Sequence, residues 1–291
     1  MAEEKAPLEL KKIVFLTGDD LNHPSGTHEF YAGALLLKKS LENSEIKDQL
    51  QIEVVNNWPE DLTVFDDANV IVHYYPGNKH HLFNKNFDTI NAWAEKGVGQ
   101  MFMHYAVDPN ENEEAAIASW TGAVYKTGLS INPHWLLKAQ LENHSINNGV
   151  APYEIFDEWY CCMDFEKEPE LNYAKEGVSE QVYSVMHGTL EEIKQASRGK
   201  GQVKKELTAK ELTVLWAKER DNGARGVGLT GGHFHKNWAN DVFRKQVLNA
   251  IVWCSKITVP ELGVESPAIS EEEINANLAT NRKRKVQKIS L

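Results

Sequence analysis

The chain contains few cysteines, and they are not arranged as a redox or metal-binding motif. Only Cys161, Cys162 and Cys254 occur, and no pair has the spacing C-x-x-C. Adjacent cysteines rarely bridge each other, because the disulfide geometry is poor. We therefore interpret all three as free or buried thiols and expect no disulfide framework.

Long apolar runs and an excess of basic charge are also missing from the sequence. No apolar segment approaches the roughly 20 residues that a membrane-spanning helix requires, so we expect no membrane partner. The chain has 31 basic and 42 acidic residues, which gives a formal charge of −11. This charge argues against a nucleic-acid-binding protein, because counterion release needs basic patches.

The first twelve residues are polar and lack the apolar core of a signal peptide. A cytoplasmic location fits the chain as given. A periplasmic location stays open if an export signal has been removed.

The chain does contain a regular alternation of short apolar segments and amphipathic segments. Its 291 residues are 42% hydrophobic and 25% charged, which is an ordinary globular composition. The alternation predicts one doubly wound α/β domain over residues 1–260, with a mostly parallel sheet flanked by helices. A polar tail follows over residues 261–291, and its Ser270-x-x-Glu273 pattern resembles a helix capping box. The predicted strands are residues 12–17, 51–56, 69–74, 98–103, 181–187, 212–216 and 226–229.

The predicted strand at residues 98–103 organises the chain. It is short and mostly apolar, as expected for a strand buried on both faces of a parallel sheet, and it ends at His104. Ligands bind just beyond the carboxyl ends of the strands in open α/β sheets. His104 is therefore a candidate reactive group, and a histidine that only forms hydrogen bonds at a strand end is the alternative.

Other histidines lie near the predicted ends of elements. We expect Thr27 to cap the first helix, which would place His28 and Glu29 in the first turn of that helix. Free N–H groups at a helix N-terminus suit anionic or hydroxyl-rich ligands. We interpret His80 and His81 as surface residues of a loop, because adjacent histidines point apart and rarely bind one metal together.

The segment Asn132-Pro133-His134-Trp135 follows a stretch rich in turn-forming residues. Pro133 fixes its own φ and restrains Asn132, so the backbone is pre-set before His134. The indole of Trp135 offers a flat apolar surface of the kind on which sugars stack. The alternative is a loop in which Trp135 packs and His134 forms local hydrogen bonds.

Two adjacent carboxylates, Asp157 and Glu158, lie between aromatic residues. Burial by such neighbours raises the pKa of a carboxyl group, which is the setting of a general acid or base. The alternative is a solvated turn. We expect His134 and Glu158 to lie on long irregular segments, which compact domains retain mainly for function.

Two glycines follow the predicted strand at residues 226–229 and allow a close backbone bend before His233. His233 and His235 have the H-x-H spacing found among zinc ligands, which is weak on its own. We expect Asn237 to cap the next helix.

Four of these histidines are predicted to lie at the carboxyl edge of the sheet. Each has an ordinary structural explanation, but their common position favours one shared site. The four are His28, His104, His134 and His233.

At this point the sequence resembles the trehalose-utilisation, or ThuA-like, family. The resemblance rests on five motifs in the same order, over roughly residues 12–260. They are Thr27-His28-Glu29, Met103-His104-Tyr105-Ala106, Asn132-Pro133-His134-Trp135, Asp157-Glu158-Trp159-Tyr160, and residues 232–238 with His233, His235 and Trp238. It implies the class I glutamine-amidotransferase-like, flavodoxin-like fold. His104 stands where amidotransferases have their nucleophilic cysteine, and no G-x-S-x-G elbow occurs, so neither a Cys nor a Ser nucleophile is expected.

The resemblance further implies an enzyme that acts on a sugar or keto-sugar, by isomerisation, elimination or hydrolysis of a 3-keto-glycoside. Chemistry next to a carbonyl needs a base and an electrophile. The implied catalytic residues are Glu158, His104, His134 and His233, and the same four could hold a divalent metal such as zinc. Glu158 is the expected base, and no nucleotide cofactor is expected.

The residues implied for binding the carbohydrate surround this set. They are His28, Glu29, Asn132, Trp135, Asp157, Tyr160, His235 and Trp238, with Trp135 and Trp238 expected in the pocket wall. The residues 122–125 depart from the aromatic G-x-F segment of close relatives, so substrate preference is not implied. Two other functions remain: a carbohydrate-binding module without turnover, and a scaffold protein that interacts through its charged tail. A homo-oligomer also stays open.

Overall fold

The predicted apolar segments form one central sheet in the computed structural model, which describes residues 9–171, 178–198, 211–280, 283 and 287–291. The strands of the described residues are β1 (Lys11–Thr17), β2 (Leu50–Asn56), β3 (Ala68–Tyr74), β4 (Gly99–Met103), β5 (Ala123–Val124), β6 (His134–Lys138), β7 (Gln140–Leu141), β8 (Glu154–Glu158), β9 (Asp164–Phe165), β10 (Val182–Thr189), β11 (Glu211–Glu219) and β12 (Arg225–Leu229). The α-helices are α1 (Phe30–Glu42), α2 (Phe87–Glu95), α3 (Glu114–Thr121), α4 (Leu190–Ile193), α5 (Asp241–Cys254) and α6 (Glu271–Asn275).

The main sheet has eight strands in the order β2-β1-β3-β4-β12-β11-β10-β7. The first five of these are parallel to one another, and the last three add on antiparallel. The prediction of a doubly wound, mostly parallel sheet is therefore confirmed. Because parallel strands end at the same edge, the residues after β1, β4 and β12 meet there.

Alternating side chains of the strands supply two separate cores, one on each face of the sheet. Ile13 and Met101 pack on the face covered by α1 and α5, whereas Val14 and Phe102 pack on the face covered by α2 and α3. All five residues of β4 are buried. This two-sided burial explains why the sequence of β4 is mostly apolar rather than alternating.

The start of α1 differs from the prediction. The helix begins at Phe30, so His28 and Glu29 precede it, and the Thr27 hydroxyl donates to Pro24 O instead of capping the helix. His28 has a φ of 52°. A helix cannot continue back through a residue in the left-handed region, which is why the first turn starts later than predicted.

Three further predictions about local structure are wrong. His81 is buried rather than on the surface, because its Nε2 lies 2.8 Å from Ala106 O and forms a hydrogen bond with it. Asn240, not Asn237, caps α5 and accepts from the amides of residues 242 and 243. His134 and Glu158 lie on the paired strands β6 and β8, opposite each other, rather than on irregular segments.

The polar tail contains α6, and the predicted capping box of Ser270 and Glu273 is present. No helix of the described residues combines the length and apolarity needed to cross a bilayer. The proposed division of the chain at residue 260 stays a prediction.

Candidate functional site

Four side chains from four separate segments meet beyond the carboxyl edge of the sheet. They come from the loop before α1, the end of β4, the end of β8 and the loop after β12, and they lie within 4.8 Å of one another through their possible ligand atoms. The four are His28, His104, Glu158 and His233. We call this set the His/Glu cluster.

His104 lies at the sharp turn that follows β4. Its φ of 50° places a non-glycine residue in the left-handed region, a strain that tends to occur at functional sites. Its Nδ1 is 2.9 Å from Thr230 O. A carbonyl oxygen can only accept, so Nδ1 carries the proton and Nε2 presents a lone pair to the cluster.

His28 is held in the same manner from the opposite side. Its Nδ1 is 2.6 Å from Asp20 Oδ2, and the same oxygen lies 2.6 Å from His23 Nδ1. Burial opposes ionisation of Asp20, but the hydrogen bonds from the two histidines prevail and hold the pKa of Asp20 well below its usual value. The ionised Asp20 accepts from His28 Nδ1, so the Nε2 of His28 also carries a lone pair.

The loop after β12 places His233 through a buried carboxylate. Asp157 accepts from the backbone amides of Gly232 at 2.9 Å and His233 at 3.1 Å, and from the Asn237 side chain at 3.0 Å. Gly232 has a φ of 108°, and a Cβ on Gly231 would lie 2.3 Å from the ring of Trp159. Only the two glycines fit this close bend, which aims the Nδ1 of His233 at the cluster.

Glu158 completes the cluster from the end of β8. Its Oε2 lies 3.1 Å from His233 Nδ1 and 3.5 Å from His104 Nε2. Its Oε1 lies 3.2 Å from His134 Nε2 and accepts a 3.2 Å hydrogen bond from the Asn132 side chain. Burial opposes ionisation of Glu158, but the hydrogen bonds from His134 and His233 outweigh it and hold the pKa of Glu158 well below its usual value. A carboxylate of this kind is a better ligand than a base near neutral pH.

Burial keeps the imidazoles of His28 and His104 neutral. It lowers the pKa of His104 to about 3, and the charge of His233 acts in the same direction. The pKa of His28 is also well below 6.5, mainly because of burial and despite the hydrogen bond to Asp20. His28 and His104, neutral and with Nδ1–H donated outward, are therefore in the form that binds a metal through Nε2.

The distances within the cluster suit a bound cation. The Nε2 atoms of His28 and His104 are 3.0 Å apart, and His104 Nε2 is 3.3 Å from His233 Nδ1. Two lone pairs facing each other at 3.0 Å repel unless a cation lies between them. Ligand atoms about 2.0–2.1 Å from a tetrahedral zinc lie about 3.3 Å from one another, which matches these separations. The residues present therefore fit a divalent metal.

A small cavity of about 160 Å³ opens onto the cluster. Its wall includes His28, His233, Glu158, Asn132, Asp108 and Arg198. A wider cleft of about 680 Å³ adjoins it, because His23 and Tyr105 line both. This arrangement gives a ligand a route from the surface to the cluster.

Asp108 is the residue of this cavity best suited to proton transfer. Burial raises its pKa to about 7, and the charge of Glu114 adds to the effect, while a hydrogen bond with the Asn78 side chain opposes it. Burial also raises the pKa of Tyr105 and of Tyr125 to about 12, so both hydroxyls remain protonated donors. A carboxyl group with a pKa near the working pH is matched to general acid–base chemistry.

The structure places the sequence-predicted residues in three groups. His104, His233 and Glu158 lie in the cluster, where His28 takes the position predicted for His134, and His134 instead supports Glu158. Asn132 and Tyr160 line the cavity, and Asp157 anchors the loop of His233. The remaining residues lie away from the cavity wall: Glu29, Trp135, His235 and Trp238.

The predicted sugar-stacking role of two tryptophans does not fit their positions. Trp135 is 1% exposed and Trp238 is 0% exposed, and both belong to the hydrophobic core. The indole N–H of Trp135 donates to Trp159 O. The position of Trp135 agrees with the alternative interpretation, in which the tryptophan packs. β6 directs its side chain into the core, so no face of the ring is open to a ligand.

Sequence reasoning missed Asp20, His23 and Asp108. Asp20 follows β1 by three residues, and Asp108 follows the 3₁₀ turn after β4. The rule that ligands bind beyond the carboxyl ends of strands, applied to carboxylates as well as to histidines, would have found both.

Neither a protein-family model nor a curated protein sequence matches this chain. Solved structures do match it. A protein from Bacteroides uniformis described as ThuA-like superposes with a TM-score of 0.54 and 16% identity, over 87% of this chain and 94% of that chain. A protein from Parabacteroides merdae with the same description gives a TM-score of 0.53 and 13% identity, over 89% and 98%.

These two likenesses concern the fold. They confirm the predicted resemblance to ThuA-like proteins at that level, together with the mostly parallel, helix-flanked α/β class. A glutamine amidotransferase from Methylobacillus flagellatus also matches, with a TM-score of 0.38 and 10% identity over 90% of this chain and 98% of that chain.

Proposed function

We propose that this protein is a metal-dependent enzyme that acts on a keto-sugar, with proton removal next to the carbonyl as its first step. The observation that supports this most is the pair of imidazoles of His28 and His104. Each donates its Nδ1–H outward, and their Nε2 atoms face each other at 3.0 Å. Such a pair is stabilised by a divalent cation.

Each residue of the cluster has a distinct role in this proposal. His28, His104, His233 and Glu158 hold the metal, and Asp20 and the carbonyl of Thr230 orient the first two imidazoles. When bound, the metal would polarise a carbonyl oxygen as a Lewis acid. His134 and Asn132 hold Oε1 of Glu158, which leaves Oε2 directed at the metal position.

Asp108 is the base in this proposal, rather than Glu158. Its carboxylate lines the same cavity as the cluster, and its pKa of about 7 allows it to take up a proton near neutral pH. Protonated Tyr105 and Tyr125 donate to the hydroxyl groups of a sugar, and Arg198 balances negative charge at the cavity wall. Removal of a proton next to a carbonyl is the step that isomerisation and elimination share.

Metal content is the first test. Elemental analysis of purified protein should find about one divalent metal per chain. His28→Ala and His104→Ala should each remove most of it while the fold survives, whereas His80→Ala, at an exposed histidine, should retain it. A chain that binds no zinc, manganese, nickel or iron under any loading condition would contradict the metal site.

Catalysis is tested with 3-keto-glycosides in D₂O. The enzyme should exchange the C–H hydrogen next to the carbonyl for deuterium, as followed by NMR, and Asp108→Asn should stop the exchange while the metal stays bound. Binding of the sugar without exchange or product would support a carbohydrate-binding module instead.

A further inference from the structure

The end of the chain lies on the loop that carries His28. We call the described residues 277–280, 283 and 287–291 the C-terminal strap. The amide of Lys283 donates to Leu21 O at 3.1 Å, and its Nζ donates to the Asn22 side chain at 2.7 Å. The strap therefore contacts the segment between β1 and α1 directly.

Glu29 links the strap to this loop from inside the structure. Glu29 is 3% exposed, and each of its carboxylate oxygens accepts a hydrogen bond from a backbone amide. Oε1 accepts from the amide of Gly26 at 2.9 Å, and Oε2 accepts from the amide of Ala279 at 3.0 Å. Glu29 follows His28 directly in sequence, and Gly26 precedes His28 by two residues. The Glu29 carboxylate therefore connects the backbone around this residue of the proposed metal site to Ala279 of the tail.

The far end of the strap is fixed to α6. The side chain of Asn275 donates to Ile289 O and accepts from Ile289 N, both at 2.8 Å. Ile289 is partly buried against the main core and lies beside Gly26. The strap is thus held at Ala279 by Glu29 and at Ile289 by Asn275, and Ile289 lies against Gly26 of the loop.

The loop needs such support because its own backbone is strained. His28 has a φ of 52°, and backbone hydrogen bonds from His28 N to His233 O at 3.1 Å and from His235 N to Gly26 O at 2.9 Å join its loop to the loop after β12. A non-glycine residue in this region costs on the order of 1–3 kcal/mol and persists only where the surroundings impose it. The strap supplies further contacts to this segment, through Lys283, Ala279 and Ile289.

We propose that the C-terminal strap positions His28 for metal binding, with Glu29 as the positioning residue that transmits its hold. The inference rests on the proposed metal site, and it reassigns Glu29 from the carbohydrate-binding role implied by the sequence. It also gives the tail a role within the molecule, in place of a docking element for other proteins.

The test compares Glu29→Gln with Glu272→Gln, a change of the same kind at an exposed tail position. Gln keeps one acceptor oxygen, so either Gly26 or Ala279 loses its partner. The affinity for added Co²⁺, followed by its visible absorption, should fall about tenfold or more in Glu29→Gln, as is typical when a partner behind a metal ligand is removed. Amide hydrogen exchange over residues 18–29 should accelerate in the metal-free protein. Glu272→Gln should change neither.

A second variant keeps Glu29 intact. Asn275→Ala releases the end of the strap and should give the same two effects, measured well below the unfolding temperature. Global stability alone does not alter the dissociation constant of a folded protein, so a Co²⁺ affinity within twofold of the parent in both variants overturns the proposal. If the parent itself binds no metal, the proposed function fails, and unchanged exchange over residues 18–29 in both variants then overturns the strap separately.

Discussion

Replacement of Asp108 by asparagine should stabilise the protein at alkaline pH, although Asp108 lines the candidate site. The pKa of Asp108 rises from 3.8 to about 7 in the folded state, mainly because of burial. The folded chain therefore binds a proton that the unfolded chain releases between these two values. The difference of about three pKa units corresponds to about 4 kcal/mol, at 1.36 kcal/mol per unit.

The sign of the effect follows from this proton. Below about pH 4 the carboxyl group is protonated in both states, and Asp108 costs no stability on this account. As the pH rises toward 7, the unfolded state is favoured progressively, and above 7 the folded state must hold a buried charge. Asp108→Asn removes this cost, so it should gain up to about 4 kcal/mol at pH 8 and little at pH 4.

Urea unfolding of the parent and the variant at pH 4.5 and pH 8 measures the gain directly. For a chain of this size the gain at pH 8 corresponds to a rise in Tm on the order of ten degrees. Glu111→Gln, at an exposed position of the same loop, is the matched control and should give no such pH-dependent difference. An Asp108→Asn variant that is less stable than the parent at pH 8, or equally altered at both pH values, would refute the reasoning.

Three further predictions follow from the contacts around the cluster. Asp157→Asn should lower the free energy of unfolding by about 3–5 kcal/mol, because an NH₂ group would replace a carboxylate oxygen that now accepts hydrogen bonds from amide groups. Hydrogen bonds to a charged group contribute about 1.5–3 kcal/mol each. A loss below about 1 kcal/mol in chemical denaturation contradicts this role. Glu158→Gln should weaken metal binding about tenfold or more in a competition titration, and unchanged affinity together with lost turnover would instead support the base role that the sequence predicted. Replacement of Cys161, Cys162 and Cys254 by serine should leave turnover largely intact in any variant that remains folded, and complete loss in a folded variant would restore a thiol mechanism.

The sequence predicted the sheet well because burial leaves a direct trace in it. The apolar run before His104 is typical of a strand covered on both faces, and β4 is such a strand. The buried face of α5 can also be predicted from the sequence, because Phe243, Val247 and Ile251 recur at helical spacing. All three are buried in the structure. These features depend on the types of residues that are close together in the sequence, so a single sequence is enough to predict them.

The order of strands also made part of the site predictable. Parallel strands end at one edge, so His104 and His233 had to lie on the same side of the sheet, and the structure places them 3.3 Å apart through Nε2 and Nδ1. The rule assigns an edge to each segment, but it does not say which atoms meet. It therefore named histidines in the right region without fixing which of them share a centre.

Only the tertiary structure decided between His28 and His134. Both follow loops rich in turn-forming residues, and nothing in their local sequence ranks one above the other. The pairing of β6 with β8 directs His134 at Oε1 of Glu158. The left-handed backbone conformation of His28 instead places its imidazole between Asp20 and His104. That choice depends on contacts between residues far apart in the chain, which residue types and spacing do not encode by themselves.

The same holds for the protonation states. The sequence placed Asp157 and Glu158 among aromatic residues and predicted a raised pKa for whichever was buried. In the fold, burial raises the pKa of Asp157, as predicted, whereas the hydrogen bonds from histidines hold Glu158 ionised despite its burial. Burial also raises the pKa of Asp108, which the sequence did not single out, to about 7. The sequence determined which segments form the sheet and which edge carries the chemistry, whereas the tertiary structure decided which side chains meet there and which of them hold protons, because both depend on distances of a few ångströms across the fold.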